Sequence, residues 1–349
     1  MQLSLRFPLS LLVCLSLLSL AACGSSSSTT NPGNSMTLNV AQNSNSFSYF
    51  TLYVAEQEHF FTAQGLTLNP YPPIQLGTGT KTTAAVESNS VELAAGVITD
   101  AFTLSRVDSQ IKLLGTLSTN LNVDIVVNKS FEQKAHLTAN SSLEDKVKAL
   151  VGKKIGVTSI GAATDAYLIY LFRQYGLDAH KDATVVNLGG SNVVAGLAAL
   201  RNGRVDALSF PPPTGLEAES QGIGDWFISS KDVPSLATAT NCVLYAKQSV
   251  IDAKPKAIQA FIRAIAQAEA WIHKNPSQAL PLFAKYLKMS PKAAKPIADA
   301  LMPDFPENPQ IDHQGYDAAV QFHVQGGLLA IALAYNDMVA TDTLNKALS

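Results

Sequence analysis

From Met36 onward, short apolar runs alternate with longer segments whose apolar residues recur at helical spacing. That is the pattern of an α/β protein built on mostly parallel sheets flanked by helices. Residues 37–41 predict a strand, 42–46 a polar loop, and 47–60 a helix. The pair Gly65-Leu66 then leads into a second strand over 66–69. A Pro-rich turn and the loop 77–80 lead into another helix, and 91–94 into a third strand.

The same order returns later. Residues 154–157 predict a strand, 158–162 a polar loop, 163–175 a helix, and Gly176-Leu177 its stop. A strand over 183–187, a loop at 189–192, a helix over 193–201 and a strand over 205–209 follow. At a shift of 114 positions, Ala84-Ala85-Val86 meets Ala198-Ala199-Leu200 and Val91-Glu92 meets Val205-Asp206; the Gly-Leu pair recurs at a shift of 111. Matches in one order imply two similar α/β lobes. The apolar runs 123–127 and 242–246 bracket the second unit, where the chain crosses between lobes and back. The expected division is 36–127 with 243–349 as the first lobe and 128–242 as the second, with two crossover strands as hinge. Beyond the second crossing the chain is helical. Ile258, Phe261, Ile262, Ile265 and Ile272 form a buried stripe, Asn275-Pro276 and Ser290-Pro291 open two helices, and Asp312 caps another that ends at Gly326-Gly327.

The first 22 residues differ: one base at Arg6, a Leu-rich stretch, then small residues. They predict a cleaved secretory signal peptide. Leu20-Ala21-Ala22-Cys23 resembles the lipobox of bacterial lipoproteins, which implies lipidation of Cys23. Residues 23–35, rich in Ser, Thr, Gly, Asn and Pro, read as a flexible tether with a reach of roughly 20 Å. The expected location is the extracytoplasmic side of a membrane, periplasm or cell surface, with the lipid as the sole membrane contact.

Composition limits the chemistry. Of 349 residues, 47% are hydrophobic and 15% charged, which excludes a disordered chain. The net charge is −2 and no basic stretch suits nucleic acid. Of three cysteines, Cys14 leaves with the leader and Cys23 takes lipid, so Cys242 stands alone and no disulfide forms in the mature chain. Cys242 sits in an apolar run and reads as a buried small hydrophobe. The histidines, His59, His136, His180, His273, His313 and His323, show no metal-ligand spacing and read as surface or helix-end residues. There is no Gly-x-Ser-x-Gly elbow and no phosphate-binding Gly-Lys-Ser/Thr loop. No catalytic residue, metal or cofactor is expected, and the chain reads as a monomer.

In open parallel sheets, ligands bind beyond the carboxyl ends of the strands. The loops there are 43–46, 77–80, 99–100, 159–163 and 189–192, which between them carry hydroxyls, amides and glycines. Such residues either cap helices or aim backbone N–H groups at a small polar solute. Asp100, their single acid, either meets an amino group of a ligand or caps a helix at Ala101. Asn192 belongs to the same candidate set. Tyr49, Phe50 and Phe210, the last beside Pro211-Pro212-Pro213, are either cleft walls or core.

Four stretches carry a family resemblance: Ala55-Glu56-Gln57-Glu58-His59-Phe60-Phe61 with Gly65-Leu66, Gly152-Lys153-Lys154-Ile155-Gly156-Val157, Gly203-Arg204-Val205-Asp206-Ala207, and the run from Pro255 through Phe261 and Trp271-Ile272 to Pro276. In that order they resemble the solute-binding lipoproteins of ABC importers of the nitrate, sulfonate and taurine type, a branch that includes binders of thiamine-pyrimidine precursors. The resemblance implies the two-lobed periplasmic-binding-protein fold of type II, hinge closure on a small anionic or polar solute, and delivery to a permease with its ATPase. It places the cleft residues at Ser44, Asn45, Thr78, Thr99, Ser159, Gly161, Ser191 and Pro212. His59 departs from the family, which usually has glycine there, and the mapped loops hold no arginine. Two alternatives stay open: an enzyme of the same fold, of the pyrimidine- or menaquinone-pathway type, and a sensory binding protein that does not transport.

Overall fold

The computed structural model describes residues 36–137 and 140–349. The leader, the Cys23 lipidation site and the tether lie outside the described residues. Among the described residues twelve strands appear in order: β1 (Thr37–Leu38), β2 (Val40–Gln42), β3 (Thr67–Leu68), β4 (Ile74–Gln75), β5 (Leu93–Val97), β6 (Ile111–Thr119), β7 (Asp124–Asn128), β8 (Lys154–Val157), β9 (Thr184–Asn187), β10 (Ala207–Phe210), β11 (Gly224–Ser229) and β12 (Thr240–Lys247). β1 and β3 form a small parallel pair.

The others make two five-stranded sheets, one ordered β4-β2-β5-β12-β6 and the other β9-β8-β10-β7-β11. The orders correspond strand for strand. In the first sheet β12 runs antiparallel to β5 and β6, and in the second β7 runs antiparallel to β10 and β11; the remaining pairs are parallel. Each lobe is therefore a mostly parallel sheet with one reversed strand, flanked by helices.

The repeat read from the sequence has a common physical basis in the two lobes. Glu92 Oε2 accepts from the backbone N–H of Asn39, and Asp206 Oδ2 from that of Lys154, both at 2.9 Å. The backbone closes the same pairs from the other side, with Glu92 N donating to Asn39 O and Asp206 N to Lys154 O. A carboxylate at the start of the third strand thus anchors the start of the first, once per lobe. Gly65 (φ 68°) and Gly176 (φ 73°) both occupy the left-handed region at helix ends, which glycine enters at no steric cost.

Two expectations need correction. The strand over 123–127 pairs in the second sheet, as β7, so the first crossing lies ahead of Asp124 and not at 127/128. The apolar run carried no sign of which sheet it joins. The helix expected over 47–60 is broken into a 3₁₀ turn, Phe47–Tyr49, and two helices, Phe50–Gln57 and Phe60–Ala63. The break is His59, at φ 60°.

The first lobe's core is the larger. The helix Pro255–Lys274 buries Ile258, Phe261, Ile262, Ile265 and Ile272, the stripe that its spacing predicts. Phe261 meets Phe61 at 5.0 Å between ring centroids. Tyr49, Phe50 and Phe210 are core residues, each at most 2% exposed.

Candidate functional site

A cleft of about 470 Å³ opens where loops from both sheets converge. Ser44, Asn45, Ser46 and Phe47 follow β2, and Gly77 and Thr78 follow β4. From the other lobe, Gly189, Gly190, Ser191 and Asn192 follow β9, and Pro211, Pro212 and Pro213 follow β10. All of these lie at the carboxyl ends of parallel strands, where a sheet leaves loops free to take a ligand. Val193, Glu217, Leu287 and Met289 complete the lining.

Local chemistry explains why these loops hold their shape. Thr78 caps the helix Gly79–Glu87 by accepting from Lys81 N at 3.3 Å, and Asn192 caps Val193–Arg201 by accepting from Ala195 N at 3.0 Å. Asn45 donates through Nδ2 to Tyr286 O at 3.0 Å and accepts from Gln75 Nε2 at 3.4 Å. Its amide is thereby fixed between the β4 edge and the end of helix Pro276–Tyr286.

Six residues singled out from the sequence line the cleft: Ser44, Asn45, Thr78, Ser191, Asn192 and Pro212. The other four do not. Thr99 is buried and bonded to His323 Nε2 at 2.7 Å. Asp100 stands behind the Thr78-Gly79 turn, accepting from Asn43 Nδ2 at 2.6 Å and Val97 N at 3.2 Å. Burial pushes its carboxyl up to about 6, with those two hydrogen bonds pulling the other way. Ser159 and Gly161 shape the turn into the helix Ala163–Gln174; Ser159 O accepts from Ala162 N, and Gly161 N donates to Asp165 Oδ2 at 2.8 Å.

Glu217, Leu287 and Met289 are lining residues that sequence reasoning missed. Glu217 had a usable signal, an acid in the first turn of a helix that follows three prolines. Leu287 and Met289 had none, because they reach the cleft from the far end of the chain. His323 is a helix-end residue, in the last turn of His313–Gln325, and only 1% exposed. Cys242 is buried and its thiol is pushed up to about 11 by desolvation, so it is a poor nucleophile.

Among the described residues, no group of three or more His, Cys, Asp or Glu side chains is arranged to hold a metal ion. No helix among them is long and apolar enough to cross a membrane.

The model of the NMT1-like family matches residues 34–288. No curated protein matches the sequence. Solved structures share the fold. A protein from Bordetella bronchiseptica is 22% identical at a TM-score of 0.71, over 90% of this chain and 97% of that one. The periplasmic aliphatic sulphonate binding protein SsuA of Escherichia coli is 16% identical at 0.66, over 88% and 99%. The periplasmic nitrate-binding protein NrtA of Synechocystis is 13% identical at 0.67, over 90% and 88%.

Proposed function

The chain belongs to the NMT1-like family, and on that premise we propose that it is the extracytoplasmic solute-binding protein of an ABC importer. It captures a small polar solute between its lobes and delivers it to a permease driven by an ATPase. The observation that carries this reading is the cleft itself, built from loops of both lobes at the carboxyl ends of matching strands. A ligand held there touches both lobes, so its binding free energy favours the closed form over the open one. The permease then recognises closure and needs no contact with the solute.

The sulphonate and nitrate binders that share the fold support the same role. The described lining offers hydroxyls, amides, prolines and one carboxylate, Glu217, groups able to hold a small polar solute. Cys23 is the proposed lipid attachment and residues 23–35 the tether, which keep the binding unit beside the membrane.

Small-angle scattering on the protein with and without a pooled metabolite extract tests the reading. The expected result is a fall in radius of gyration together with one solute retained in native mass spectrometry. A protein that retains no solute and keeps its dimensions with every pool is not a solute-binding protein of this kind. Mass spectrometry of membrane-extracted protein tests the lipid on Cys23.

A further inference from the structure

The charge pattern of the cleft is at odds with an anionic solute. Among the described lining residues Glu217 is the only ionisable side chain. Its carboxylate is half-buried and has no cation or hydrogen-bond donor among the described residues. Behind the opposite wall lies Asp100, so close that a Cβ on Gly79 would fall 1.9 Å from its Oδ1. Asn43 and Val97 both donate to Oδ2, which leaves Oδ1 without a partner among the described residues.

Helix N-termini ordinarily offer an anion partial positive charge. Here that charge is already answered by the chain. Gly79–Glu87 is capped by Thr78 and faces Asp100, Val193–Arg201 is capped by Asn192, and Thr214–Ser220 carries Glu217 in its first turn. Lys81, Lys285, Lys288 and Lys292, the bases nearest in sequence to the lining, are all exposed and outside it.

We propose that the cleft selects solutes bearing a protonated amine or amidine, which pairs with Glu217 while Asp100 adds negative potential from behind Thr78, and that it discriminates against sulfonates and nitrate. The proposal rests on the solute-binding reading above. An anion in the cleft meets an unpaired carboxylate in a partly desolvated space; a cation relieves it.

Calorimetry with benzamidine and benzenesulfonate, the same ring with opposite charges, tests it at low ionic strength and neutral pH. Benzamidine is expected to bind at least about tenfold more tightly, and Glu217→Gln to abolish that preference. A thermal melt of the variant close to that of the parent shows that the loss comes from the site and not from unfolding. Equal binding, or tighter binding of benzenesulfonate, overturns the charge assignment; if benzenesulfonate also compacts the protein in scattering, the solute-binding reading survives that failure. Retention of the preference by Glu217→Gln removes the role of Glu217. Binding of neither probe, with no compaction by either or by any metabolite pool, removes both readings.

Discussion

The hydroxyl of Thr99 donates to Nε2 of His323 across 2.7 Å. The direction follows from the other ring nitrogen: Nδ1 lies 2.6 Å from the carbonyl oxygen of Ala319, an acceptor, so the proton sits on Nδ1. His323 is thus held neutral in one tautomer. It lies on the helix His313–Gln325, which packs on both lobes. Tyr316 and His323 meet Phe102 of the first lobe, at 5.8 and 5.0 Å between centroids, and Phe322 meets Tyr170 of the second at 5.5 Å. The helix is a strap across the two cores, and its neutral histidine sits in the last turn.

That geometry fixes a pH dependence. Burial lowers the His323 imidazolium to about 4, from an ordinary value near 6.5. Between these values the unfolded chain binds the proton and the folded one does not, so this stabilisation is present above about pH 6.5 and is lost as pH falls toward 4. The loss is on the order of 3 kcal/mol. His323→Gln, which cannot titrate, is expected to be less stable than the parent at pH 7 and to close much of that gap by pH 4.5. Urea unfolding of both proteins across this window is the measurement; a gap independent of pH rejects the account.

His59 holds the left-handed conformation that glycine suits, with φ at 60°. The helix Phe60–Ala63 starts from it, and His59 O accepts from both Ala63 N and Thr62 Oγ1, so the turn is held by its surroundings. A side chain in the left-handed region costs roughly 1–2 kcal/mol, offset in part by the extra freedom that glycine gives the unfolded chain. His59→Gly is therefore expected to raise stability by about 0.5–1 kcal/mol, seen as a higher urea midpoint at unchanged slope. A lower midpoint would show that the imidazole makes a stabilising contact.

Glu269, on the long helix Pro255–Lys274, is fully buried, and neither carboxylate oxygen has a hydrogen-bond partner among the described residues. Desolvation raises its carboxyl far above the ordinary range, so the folded protein holds it neutral at the cost of keeping a proton that the unfolded chain releases. For a raised acid the stabilising contribution is present at low pH and declines as pH rises above the unfolded value. Glu269→Leu is expected to stabilise by about 1–3 kcal/mol at pH 7, with a smaller gain at pH 4. Chemical unfolding at the two pH values checks both the sign and the trend.

How far these features were legible depends on the range of the interaction behind them. The matched pairs Val91-Glu92 and Val205-Asp206 were visible because the role of each carboxylate is set by its own lobe's repeat, and the structure finds that role twice. The loops after β2, β4 and β9 were legible through their local turn and cap chemistry. Thr99 looked like the other loop residues because nothing nearby records that its hydroxyl is taken by a residue 224 positions away. Leu287 and Met289 were invisible for the same reason. The sheet membership of β7 is likewise a long-range outcome, since an apolar run pairs equally well in either sheet until the crossing fixes its direction.

That crossing carries one ion pair that tests how firmly the lobes are joined there. Lys231, in the turn after β11, reaches Asp304 of the first lobe at 2.9 Å and donates to Ala300 O at 2.7 Å. Beside it, Ser230 Oγ donates to Asn120 Oδ1 at 3.0 Å and Thr119 Oγ1 to Asp304 O at 3.2 Å. The Asp304 side chain is 8% exposed and its Oδ2 has no hydrogen-bond partner among the described residues, while Lys231 is 36% exposed and gives up less hydration to make the pair. Removing the lysine therefore costs more than the worth of the pair, because a nearly buried carboxylate is left without its cation. Lys231→Met is expected to destabilise by about 2 kcal/mol at pH 7. Burial already raises Asp304, with Lys231 pulling it down, so without the lysine the carboxyl protonates more readily and the penalty shrinks as pH falls. Lys231→Met with Asp304→Asn, which removes both charges, is expected to recover most of the loss. A double variant no more stable than Lys231→Met alone would mean that the lysine acts through Ala300 O and its packing, and that charge has little part in joining the lobes.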